Sequence, residues 1–137
     1  MKRGVTTTTG LAGSTSAEFV VATLPGVALT AEPGGVLLSH VVIDGYVNIT
    51  PNGTTITSVV LRVRRTNLSG AVVGQPVTIT TVAPGVASSL PIMADDPLIQ
   101  ATPPTIPGQI YVVTAVQAGT VLTAPTVNYA VVTATVS

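Results

Sequence analysis

Two consecutive alternating runs constrain this chain more than anything else in it. Between residues 36 and 65 the sequence reads VLLSHVVIDGYVNIT, then PNGTT, then ITSVVLRVRR. In the first run Leu37, Val41, Ile43, Val47 and Ile49 share one parity, and His40, Asp44, Tyr46 and Asn48 share the other. The second run sets Val59, Leu61 and Val63 against Arg62 and Arg64. Successive side chains of a strand point to opposite faces, so each run has an oily face and a wetter one. Pro51, Asn52 and Gly53 suit a turn, since proline presets φ and Asn-Gly tolerates positive φ. The rest of the chain must cover the two oily faces.

Paired directly, the two runs would match oily to oily, with Val47 opposite Val59, Ile43 opposite Val63 and Asp44 opposite Arg62. In a jelly roll they would cross to opposite sheets instead, and no such contact would be required.

Further runs follow the same rhythm. Glu18–Leu24 predicts a strand closed by Pro25-Gly26, and Val27–Ala31 a short second one stopped by Pro33-Gly34-Gly35. Asn67–Gly74 reads as a loop with room for a short strand. Pro76–Val82 predicts a strand with proline at its start, where a missing N–H matters least. Val86–Met93 predicts another, and Pro91 inside it marks an edge or a bulge. The prolines of Asp95–Pro107 bar a helix interior, so this stretch reads as the longest connection. Gly108–Gln117 and Thr126–Val136 are strong strands. Sustained helical periodicity is absent. Seven or eight strands at short spacing predict an all-β, antiparallel β-sandwich, jelly-roll-like, with an immunoglobulin-like sandwich as the alternative.

The chain of 137 residues suits one domain, residues 18–137. Residues 1–17, MKRGVTTTTGLAGSTSA, carry too few large apolar groups to offset their ordering entropy. They read as an extended arm, flexible or ordered against a partner. No apolar core follows Met1-Lys2-Arg3, so a signal peptide is not expected, and no apolar run has the length of a membrane span.

Charged residues make up 7% of the chain, against a usual share of about 25%. So few charges leave a large free surface poorly hydrated, which implies burial against copies or a partner. Val127, Tyr129 and Val131 fall on one parity of the last strand, and Ala130, Val132, Ala134 and Val136 on the other. Neither parity is charged. Tyr129, Val131 and Val132 are therefore candidates for an oligomer interface.

The same totals exclude several chemistries. There is no cysteine, hence no disulfide and no thiolate. Net charge is zero, so no field draws nucleic acid or an anionic membrane. His40 is the only histidine, and Asp44, four residues on, stands roughly 13 Å away along a strand. Catalytic residues, metal and cofactor are all expected to be none, and the protein is not expected to be an enzyme. Asp95-Asp96 reads as an exposed loop start, since a calcium site needs six to eight oxygens. Arg62, Arg64 and Arg65 form the basic cluster. Arg62 and Arg64 share a wet strand face and are expected to be ion-paired within the chain or at a subunit boundary, with Asp44 as the nearby acid.

The runs VVIDGYVNIT, VVLRVRRTNLSGAVVG, QIYVVTAVQ and VNYAVVTATV, in that order over residues 36–137, resemble the small β-sandwich structural proteins of tailed bacteriophages. These are similar in layout to jelly-roll and tumour-necrosis-factor-like trimers, and include head decoration (cement) proteins and trimeric fibre knobs. The resemblance implies a non-enzymatic virion protein, made in the host cytoplasm and carried on the capsid surface as a homotrimer. It implies the major capsid protein as partner, held by a terminal arm. On this chain the arm residues are Lys2, Arg3, Gly4, Val5, Thr6, Thr7 and Leu11. The alternative it implies is a trimeric fibre or knob binding a receptor or glycan, which needs an exposed aromatic platform. Nucleic acid and membrane are not expected partners.

Overall fold

A computed structural model describes residues 2–30, 37–80, 83–100 and 105–136. The described residues form eight strands: β1 (Lys2–Ala12), β2 (Phe19–Thr30), β3 (Leu37–Asn52), β4 (Thr55–Arg65), β5 (Val72–Ile79), β6 (Ser88–Gln100), β7 (Thr105–Thr120) and β8 (Thr123–Val136). They form two antiparallel four-stranded sheets, ordered β1-β8-β3-β6 and β2-β7-β4-β5.

The antiparallel pairs include β1 with β8, β2 with β7, β3 with β6 and β4 with β5. Each pair of numbers sums to nine. This is one long hairpin folded at β4–β5 and rolled into two layers, the arrangement of a jelly roll. An immunoglobulin-like sandwich would place more sequential strands side by side; here only β4 and β5 are. The organising runs are β3 and β4, and they lie in different sheets, so Asp44 does not face Arg62. The oily residues of both still meet, across the sandwich instead of along a ladder. Val41, Ile43, Val47 and Ile49 of β3 and Ile56, Val59, Leu61 and Val63 of β4 are all buried in one core.

β8 carries a parity change. Its buried positions run Ala130, Val132, Ala134 and Val136, but also Val127. The register slips against β3 between Asn48/Tyr129 and Ile49/Val127, so Asn128 is the extra residue of a bulge. Val127 therefore joins the core while Tyr129 and Val131 face outward. Val132 is fully buried and is no interface residue, because neighbours on a strand cannot share a face.

Several boundaries differ from the sequence reading. Residues 2–12 are not a loose arm: β1 pairs with β8 from Lys2↔Val136 to Ala12↔Thr126. Backbone pairing holds it more than packing, since among its described side chains only Leu11 packs against the core. β2 runs through Pro25-Gly26 as one strand, with the register shifting between Leu24 and Val27. Pro33-Gly34-Gly35 lies outside the described residues. β5 begins at Val72, four residues before Pro76, and the proline sits where the register shifts against β4. β6 extends through Asp95 and Asp96 to Gln100, where a connection was expected. It is an edge strand, as Pro91 implied, and the free edge also accommodates Pro97.

Gln117 closes one end of the core. It is buried, and its Nε2 donates to the carbonyls of Thr15 (2.8 Å), Asn52 (3.2 Å) and Thr123 (2.5 Å), while its Oε1 accepts from the Asn52 N–H at 3.2 Å. One amide thus joins the β1–β2, β3–β4 and β7–β8 connections.

Candidate functional site

The outer faces of the two sheets differ sharply. On the β2-β7-β4-β5 sheet, alternation sends Arg62 and Arg64 outward beside Thr114 and Val112 of β7. Glu18, just before β2, reaches over them. Arg64 Nε and Nη2 donate to its two carboxylate oxygens at 2.9 Å each, and Arg64 Nη1 donates to the Gly70 carbonyl at 2.9 Å. Arg62 Nη1 stands 3.7 Å from the same carboxylate, and Thr114 donates its hydroxyl to it. The Arg64 guanidinium holds the Glu18 carboxyl below the usual carboxylate range, and the carboxylate raises the Arg64 pKa in turn. Beneath this cluster Thr114 is fully buried and Val112 nearly so. The expected pairing of Arg62 and Arg64 is therefore met within the chain, by Glu18 and not by Asp44.

A second ion cluster lies between the sheets at the β6 edge. Asp96, expected in an exposed loop, is 2% exposed. Arg65 donates to both of its oxygens, from Nε at 2.9 Å and from Nη2. The Tyr111 hydroxyl donates to Oδ2 at 2.6 Å. Burial first, and the neighbouring carboxylate second, push the Tyr111 phenol far above its ordinary pKa, so it stays a donor. The cluster ties β6 to β4 and β7, linking one sheet to the other.

No comparable cluster covers the outer face of the β1-β8-β3-β6 sheet among the described residues. Here Tyr46 (43% exposed), Tyr129 (39%) and Met93 (70%) stand out, with half-buried Val42 and Val131 between. The register explains the grouping: Tyr46 faces Val131 on one side and Pro91 on the other, and Asp44 faces Met93. The two tyrosine rings meet edge to face, centroids 5.9 Å apart and planes at 84°. Asn48 holds Tyr129 from below. Its Nδ2 donates to Ser89 Oγ at 2.9 Å and to Tyr129 Oη at 3.2 Å, and its Oδ1 accepts from Asn128 at 2.8 Å. Beside Tyr46 lies a groove of about 440 Å³ lined by Asp44, Gly45, Val77, Pro91, Ile92 and Met93. His40 is on this face too, paired with Asp95 at 3.1 Å, both more than half exposed.

Of the interface candidates, this face gathers Tyr129 and Val131. Arg62 and Arg64 lie on the opposite sheet, and Val132 lies in the core. Val5 is half exposed on β1 at the border of the face; the Lys2 and Arg3 side chains lie outside the described residues. The sequence reading placed Tyr46 on the wet parity of its strand and Asp96 at an exposed loop start, and did not single out Met93 or Glu18.

No protein-family model matches the chain, and no curated protein matches it. Among solved structures the chain is similar to the VP2 subviral particle of infectious bursal disease virus, at 10% identity and a TM-score of 0.42. The match covers 97% of this chain and 32% of that one, so the chain spans about a third of its length.

Proposed function

We propose that this is a non-enzymatic structural protein of a virion, a decoration protein that covers the outer surface of a phage head as a homotrimer, with the major capsid protein as its partner. One observation supports assembly through a defined surface. One sheet carries an ion cluster on its outer face, with Val72 and Ile110 still 39% exposed on its strands, while the other has no such cluster among the described residues and leaves Tyr46, Tyr129 and Met93 exposed beside half-buried Val131, on a chain with 7% charged residues. Exposed apolar patches of this kind mark interaction sites, and aromatic residues and methionine are enriched where proteins meet. Subunits meeting through this face bury it. The protein is made in the host cytoplasm and resides on the capsid.

The test is light scattering on the purified chain, with cosedimentation on undecorated phage heads. The wild type should be trimeric and bind heads. Tyr129→Asp combined with Val131→Asp should be folded and monomeric. A wild type that stays monomeric at high concentration refutes assembly through this face; a trimer with no affinity for heads refutes decoration.

The Tyr46–Tyr129 pair also favours a second reading, the receptor- or glycan-binding knob, which needs an exposed aromatic platform. The two readings use the same face in incompatible ways. Calorimetric titration with soluble glycans separates them: the knob binds sugar as an assembled oligomer, and Tyr46→Ala abolishes that binding without changing its mass.

A further inference from the structure

We infer that β1 is a docking edge for β1 of a second copy, joining two sandwiches into one continuous eight-stranded sheet. The rolled sheets have four edge strands, β1, β6, β2 and β5. Three of them carry proline: Pro91 and Pro97 in β6, Pro25 in β2 and Pro76 in β5. Proline removes a ladder donor and blunts an edge against further pairing. β1, KRGVTTTTGLA, has none across eleven residues. No backbone hydrogen bond reaches its outer edge from another described residue. An unprotected edge of this length is a template for another strand.

The pairing pattern identifies which residues present that edge. Pro91 has no N–H, so its pair with Tyr46 is of the non-hydrogen-bonded kind, and Tyr46 bonds instead toward β8, where it faces Val131. Val131 then bonds back toward β3. Thr7, opposite Val131 on its other side, is left with its N–H and C=O pointing away from β8. Thr7 is the middle residue of β1, and its side chain is exposed on the outer face.

Composition selects a second copy, running antiparallel. The centre of the strand, from Val5 to Thr9, is uncharged and β-branched, which favours cross-strand packing. Its cations, Lys2 and Arg3, are both at one end. Antiparallel pairing about Thr7 sets the two pairs of cations at opposite ends of the ribbon, roughly 30 Å apart at about 3.3 Å per residue. Parallel pairing would place them side by side. A two-fold contact of this type is isologous, so the one surface is its own complement.

Sedimentation velocity on the full chain tests this, with Thr7→Lys, Thr7→Glu and their equimolar mixture. The wild type should show a concentration-dependent species of twice the mass of its basic unit. Each variant alone should lose it, because like charges then face each other across the two-fold axis. The mixture should restore it, because Lys then faces Glu. Thr7→Pro, which removes the outward N–H without adding charge, should also lose it. Doubling that persists in all three variants, or a mixture that fails to restore it, overturns the inference. So does the pattern in which self-association is unchanged and binding to phage heads is lost, since the occupant of the edge is then a strand of the shell. The Tyr129 and Val131 variants leave this edge intact, so failure of face assembly and failure of edge pairing give different results.

Discussion

Consider replacing Arg65 by methionine, which keeps an unbranched stem and removes the charge. Asp96 would keep the Tyr111 hydroxyl and lose both guanidinium donors, with its side chain only 3% exposed. Stranding a buried charge by deleting its partner costs about 3–5 kcal/mol. The lower end applies, because Tyr111 still donates. The reverse change is milder. Asp96→Asn leaves a guanidinium whose side chain is already 42% exposed, so water can take up the charge. Tyr111 keeps an oxygen acceptor, and the remaining cost is about 1–2 kcal/mol for imperfect hydrogen bonding. Urea unfolding at pH 7 measures both. Arg65→Met should lower stability by about 3 kcal/mol, on the order of 10 °C in Tm for a domain of this size. The double variant should be more stable than Arg65→Met alone, since no buried charge remains. If Asp96→Asn costs as much as Arg65→Met, or if the two effects add, the buried carboxylate does not set the energetics of this cluster.

Gly45 has φ +150°, and a Cβ there would lie 2.0 Å from the Val131 carbonyl oxygen, so Gly45→Ala should cost roughly 3 kcal/mol or more in urea unfolding. Val121 holds φ +46° with its side chain 75% exposed, a strained geometry for a β-branched residue; Val121→Asn should raise stability by about 1 kcal/mol in the same assay. The Glu18 carboxyl is lowered by Arg64, so its contribution is present above the ordinary value of 4.5 and is lost as pH falls below it toward the folded-state value. Glu18→Gln should flatten that part of the acid-unfolding curve, and an unchanged slope would refute the assignment.

Strand parity was the most legible part of the chain. Over residues 40–52 and 58–65 the alternation named the buried and outward residues of β3 and β4, though a register shift at Ile56/Ser58 puts Ile56 in the core from the other parity, and Pro91 marked β6 as an edge. Parity failed in β8, because nothing local announces that Asn128 is an extra residue. That slip is decided by β3, where Asn48 and Thr50 accept from the Asn128 amide. β1 was missed for a related reason. Its threonines contribute little apolar burial, and what holds them is a ladder to β8, more than a hundred residues away in sequence. Asp96 looked like a loop residue because it adjoins Asp95 and Pro97. Its partners, Arg65 and Tyr111, come from the other sheet, and a one-dimensional pattern cannot show them. Of the interface candidates, Tyr129 and Val131 face outward and Val132 does not, while the partner of the arginines depended on where Glu18 lands.

The sum-to-nine pairing also governs the order in which the molecule can be built on a ribosome. β8 lies between β1 and β3, so the middle of one sheet is the part translated after everything around it. Until it emerges, β1 has no ladder partner and β3 is paired along one side only. The nascent chain must therefore hold two β-branched, weakly charged strands open through most of its synthesis, the state most exposed to wrong pairing. Completion is non-local by construction and correspondingly slow. A pulse-labelled chain stalled before Thr123 should stay protease-sensitive in residues 2–12, and should gain protection only when β8 clears the exit tunnel.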